Sequence, residues 1–80
     1  MTLPVTLHIH RSMWVSAYDG MARQWAMRPM YVDAGSVQIH LTTREGIADL
    51  HVEAGPSANT MASVYRNGDM VQGMTVEVGQ

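Results

Sequence analysis

His8 and His10, spaced two apart, are the first residues of this 80-residue chain whose types and spacing could carry chemistry. On an extended backbone, side chains at i and i+2 share a face. Two imidazoles so placed can share a zinc or iron ion once a third ligand arrives from a neighbouring strand. His40, Asp49, His51 and Glu53 are the candidates for that ligand, because they alternate with apolar residues in a second extended region. The set forms a site only if both regions pair with their polar faces on the same side, and nothing in the sequence requires that. The plainer account is a row of polar residues facing water, so no metal and no cofactor are assigned.

Trp14, Tyr18, Arg23 and Trp25 are the candidate binding residues. Trp, Tyr and Arg dominate the energetics of protein interfaces. In a hairpin turning at Asp19-Gly20 these four share a face with Met21, while Met13, Val15, Ala17, Ala22 and Ala26 form the other face. Either face can be the one turned to the core, and the other then needs cover from the remaining chain or from a partner. Catalytic residues are not assigned. The chain has no G-x-S-x-G elbow, no P-loop and no G-x-G-x-x-G, and a domain this small leaves little room for a shielded pocket. The expectation is a protein that is not an enzyme.

The elements that must position these residues are mainly β strands. Val37, Ile39 and Leu41 alternate with polar residues, and after Thr43-Arg44-Glu45-Gly46 the alternation resumes at Ala48, Leu50 and Val52. Period two on both sides of a turn predicts a hairpin over Ser36 to Ala54. With Thr42 opposite Ile47, Leu41 meets Ala48, Ile39 meets Leu50 and Val37 meets Val52; on the wet face His40 meets Asp49 and Gln38 meets His51. Leu3, Val5, Leu7 and Ile9 make a first strand, with Pro4 near its start.

For residues 13–27 the hairpin through Asp19-Gly20 sets Trp14 opposite Trp25, Ser16 opposite Arg23 and Tyr18 opposite Met21. A helix carrying Trp14, Tyr18, Met21 and Trp25 on one stripe competes, as does a strand followed by a short helix capped by Asp19. Arg28-Pro29 reads as a break before the extended piece Met30-Tyr31-Val32. Gly55-Pro56-Ser57 closes the middle hairpin. Asn67-Gly68 predicts a third hairpin with Met61 opposite Met74, against a competing helix from Ser57 to Arg66. Met74 to Val78 alternates weakly, as a strand at an edge or one reaching a partner does. The expected fold is mainly β, or α+β with one short helix, with antiparallel hairpins forming a small curled sheet or sandwich in a single domain over 1–80.

Composition narrows the function classes. A net charge of −2 with five basic residues provides no clustered positive face, so no direct nucleic-acid partner is expected. There are no cysteines, which excludes disulfides and thiolate sites. The start, Met1-Thr2-Leu3-Pro4-Val5, lacks a basic leader, and no run of about 18 apolar residues occurs; a cytoplasmic protein without a membrane partner is expected. All five cations are arginine, through GC-rich coding or because the planar guanidinium makes a good interface anchor. Eight methionines without phenylalanine point first to core filling and second to an adaptable surface.

In length and composition across the whole chain, this sequence is most similar to the small phage- or prophage-encoded anti-CRISPR proteins of type I systems. The resemblance is one of profile, so it carries over no functional residue. It implies an inhibitor that binds the Cas proteins of the Cascade surveillance complex and stops target-DNA binding. The alternative is a structural component of a phage or oligomeric assembly. Either way the free protein is a monomer or a small homo-oligomer.

Overall fold

Alternation of apolar and polar residues is realised as strand nearly everywhere. A computed structural model describes residues 2–55, 59–66 and 74–80. These carry β1 (Thr2–Ile9), β2 (Met13–Asp19), β3 (Gln24–Val32), β4 (Gly35–Thr42), β5 (Ile47–Ala54), β6 (Asn59–Arg66) and β7 (Met74–Val78). One sheet has the order β4-β1-β7 and the other β3-β2-β5-β6. Every pairing is antiparallel except that of β1 with β7. Among the described residues no helix is long and apolar enough to cross a membrane.

The two sheets enclose one aliphatic core. Leu3, Val5, Leu7 and Ile9 of β1, Ile39 and Leu41 of β4, and Val76 and Val78 of β7 meet Met13, Val15 and Ala17 of β2 and Ala48, Leu50 and Val52 of β5. The alternate positions face outward, as the period of a strand demands. Methionine contributes little: of Met13, Met21, Met27, Met30 and Met74, Met13 alone is buried. Core filling therefore explains Met13 and, in part, Met27, which packs against the core, but not the others; leucine and the β-branched valine and isoleucine fill most of the space between the sheets.

The region from Ser36 to Ala54 corrects the expected hairpin. Ile39, Leu41, Leu50 and Val52 do face inward together, but β4 and β5 belong to different sheets. Leu41–Ala48, Ile39–Leu50, Val37–Val52, His40–Asp49 and Gln38–His51 are not pairs; β4 pairs with β1, and β5 with β2 and β6. Only the turn survives, tighter than expected. Arg44 and Ile47 exchange backbone hydrogen bonds of 2.9 and 3.0 Å around Glu45 and Gly46, both at positive φ, as a two-residue primed turn requires. Beyond it the strands part. In one ribbon their apolar rows would share a face that needs separate cover; on two facing sheets they help to cover each other.

Asp19 secures that parting. Its side chain is almost fully buried. Oδ1 accepts the backbone N–H groups of Met21 and Ala22, both at 3.1 Å, and Oδ2 accepts that of Thr42 at 2.8 Å. One carboxylate thus shapes the β2–β3 turn and holds the last residue of β4, joining the two sheets.

The 13–27 hairpin forms, and the helical readings fall because β2 and β3 both pair as strands. Its register differs from the expected one. Four residues, Gly20 to Arg23, make the turn, since the Asp19 carboxylate draws the following amides back onto itself. Trp14 therefore lies opposite Tyr31, and Tyr18 opposite Trp25, with register shifts on either side of Ala17. Arg28-Pro29 does not break the strand. β3 lies at the sheet edge, where a residue without an N–H is tolerated, particularly beside an irregularity.

The C-terminal third is also rearranged. Asn59 to Arg66 is strand, so the helix there is not formed. β6 pairs with β5 antiparallel, so the chain returns to the same sheet after Ala54; Pro56 and Ser57 lie outside the described residues. Met61 lies opposite Val52 and Met74 opposite Val5, so those two methionines are not partners. The Asn67-Gly68 turn lies outside the described residues. β7 does take the edge expected of it.

Candidate functional site

Two outward faces hold the residues singled out in the sequence. The outer face of the four-stranded sheet is aromatic. Trp14 and Tyr18, four apart on β2, point the same way, and the β2–β3 register sets Tyr31 beside the first and Trp25 beside the second. Both pairs meet edge to face: Trp14–Tyr31 with centroids 6.0 Å apart at 75°, Tyr18–Trp25 at 5.5 Å and 87°. These are favourable geometries for aromatic quadrupoles. The ring of His51, opposite Tyr18 on β5, extends the row at 6.4 Å.

The face turned inward is the other one, with Met13, Val15 and Ala17 buried. Trp14 is 54% exposed, Tyr31 57% and Trp25 43%; Tyr18 is half-buried, and Arg23 is exposed at the end of the turn. The structure thus brings three of the four expected binding residues into one row and leaves Arg23 at its margin. Tyr31 is the residue that sequence reasoning missed. Its partnership with Trp14 depends on a four-residue turn and on the shifts around Ala17, and neither leaves a sequence signal.

Trp14 stands as a ridge between two grooves. One, of about 220 Å³, is lined by Trp14, Ser16, Pro29, Glu53 and Gly55. The other, of about 400 Å³, is lined by Arg11, Ser12, Met13, Trp14 and Tyr31. The backbone behind the ridge is tied down: Gly55 N donates to Trp14 O at 2.9 Å. A flat indole flanked by two hollows, with a guanidinium and a phenol beside it, can receive a partner's side chain on either side.

The histidine face does not assemble as the sequence suggested. Asp49, His51 and Glu53 alternate with the buried residues of β5, on the aromatic side of the molecule, whereas His8 and His10 lie on the three-stranded sheet. His51 Nε2 is 2.9 Å from Asp49 Oδ1. His40 is exposed opposite Pro4, well along β1 from His8. His8 and His10 instead acquire Glu77, which the parallel register puts opposite His8. Oε1 of Glu77 lies 3.0 Å from His8 Nδ1 and 2.5 Å from His10 Nε2. The hydrogen bond from His10 holds the Glu77 carboxyl below its ordinary range, and His8 pulls the same way.

The chain matches no known protein family, no curated protein and no solved structure.

Proposed function

We propose that this protein is a small binding module whose working surface is the aromatic face of the four-stranded sheet, centred on Trp14 and Tyr31. One observation carries the reading: the core is aliphatic while the tryptophans are turned outward. Enclosing a ring of this size removes about 150–250 Å² from water, so leaving half of it exposed forgoes roughly 2–3 kcal/mol at about 25 cal/mol per Å². An 80-residue domain has little stability to forgo. Three exposed rings on one sheet face, set in two edge-to-face pairs, are accounted for by a partner that covers them, and their types, with Arg11 and Arg23 on the same side, are those of interface hot spots.

The partner we propose is a protein complex, in the specific form implied by the profile resemblance: the Cas proteins of a type I Cascade, held so that target DNA is not bound. The role is non-catalytic and the setting cytoplasmic. The test is retention of Cascade on the immobilised protein, together with DNA binding by Cascade in its presence. Retention, with Trp14→Ala weakening it about 30-fold or more, the equivalent of about 2 kcal/mol, supports the reading. No retention and unchanged DNA binding sink the Cascade assignment. If light scattering finds an oligomer that Trp14→Ala dissolves, the face serves self-assembly, and the protein is a structural component instead.

A further inference from the structure

On the opposite side of the molecule from the aromatic row, the outer face of the three-stranded sheet gathers two imidazoles and a carboxylate from the two ends of the chain. We propose that His8, His10 and Glu77 form a binding site for one divalent transition-metal ion, with Zn²⁺ the ion it suits best.

The donor set is chemically specific. Two imidazole nitrogens and one carboxylate oxygen suit zinc and its neighbours; calcium and magnesium prefer all-oxygen shells. The spacing fits as well. Ligand atoms held about 2.0–2.2 Å from a tetrahedral ion lie roughly 3.3–3.5 Å from one another. Here the nitrogen–oxygen separations are 3.0 and 2.5 Å, and all three donor atoms lie within 4.8 Å of one another. Changes in separation of roughly 1.5 Å or less, within reach of small rotations of the three side chains, bring them to those separations. The ion takes the place of the hydrogens now lying between the rings and Oε1: a neutral ring ligates as the tautomer that carries its hydrogen on the other nitrogen, and a ring that is protonated first gives up one proton to solvent.

The support beneath the ligands is rigid. His8 lies opposite Glu77 in the parallel ladder, and the backbone N–H of His10 donates to Val78 O at 2.9 Å. Sites carried on paired strands hold their geometry better than sites on loops. Three protein ligands leave a fourth position open to water or to a donor from another molecule. An ion here would also fasten β7 to β1, to which it is bound along a sheet edge.

The test uses untagged full-length protein titrated with Zn²⁺ by calorimetry and with Co²⁺ by visible absorption. The expected result is one ion per chain, a tetrahedral Co²⁺ spectrum, and affinity reduced about tenfold or more in both Glu77→Gln and His10→Ala. His40→Ala should bind as the parent does. Circular dichroism checks that each variant is folded; should one fail to fold, the other decides. No binding by the parent overturns the proposal, as does binding that both variants retain. Neither result bears on the aromatic face, whose test uses Trp14.

Discussion

Replacing Asp19 probes the junction on which this topology depends. Its carboxylate accepts three backbone N–H groups, from Met21, Ala22 and Thr42, and the residue is only 2% exposed. Hydrogen bonds to a charged acceptor contribute about 1.5–3 kcal/mol each when their donors are left without a partner. The two turn amides can be rehydrated in part, so each loses nearer the 0.5–1.5 kcal/mol of an ordinary hydrogen bond. The Thr42 amide sits where the sheets meet and recovers less. Asp19→Ala should therefore cost about 4 kcal/mol, a large share of the roughly 4–12 kcal/mol that a domain of this size commands. At about 4–8 °C per kcal/mol, the melting temperature should fall by roughly 16–32 °C. Asp19→Asn should lose about 2 kcal/mol, because its amide group must point a donor at a donor. The assay is urea unfolding followed by far-ultraviolet circular dichroism, with Asp33→Asn as control, since Asp33 is exposed and accepts a long hydrogen bond of 3.4 Å from Ser12. If Asp19→Asn and Asp33→Asn have the same midpoint, the carboxylate does not hold the sheets together as argued.

Three further outcomes are expected. Leu50→Asp puts an unpaired charge where the parent side chain is fully buried and should abolish the cooperative melt, whereas exposed His40→Ala should change stability by no more than about 0.5 kcal/mol; equal melting temperatures would contradict the facing of these strands. Gly20→Ala should cost about 1–3 kcal/mol, because a Cβ there meets Oδ2 of Asp49 and comes within 2.7 Å of its Cγ; adding Asp49→Ala should restore most of the loss in a double-mutant cycle. Trp14→Ala, with more than half of the ring already in water, should leave the melting temperature within about 8 °C of the parent, and a larger fall would make Trp14 a packing residue rather than a binding one.

The facing of individual strands was legible because it is written at period two. Leu3 to Ile9, Ile39 and Leu41, and Leu50 and Val52 alternate with polar residues and are buried as that alternation implies. Pairing was less legible, because every such strand presents a similar apolar row and the row does not name its neighbour. The Ser36 to Ala54 region has a tight turn and matching rows, which are the marks of a hairpin, yet its strands lie in separate sheets. For the aromatic residues, composition and spacing identified Trp14, Tyr18 and Trp25 but left open which side they face, since Met13, Val15 and Ala17 behind them are apolar too. Burial of the smaller residues decides it: they fit between two close-packed sheets, and the indoles are left outside.

What the sequence determined alone is therefore the class of structure, the inward residues of most strands, and the residue types available for contact with a partner. What only the tertiary structure decided is adjacency. Glu77 reaches His8 and His10 through a parallel pairing of the chain's first and last strands, and Tyr31 reaches Trp14 through a displaced register. The physical reason is that alternation is a local property of the backbone, fixed by where each side chain must point. The choice of neighbour is settled by the joint burial of all the strands and by single buried groups such as the Asp19 carboxylate, whose partners lie far apart along the chain.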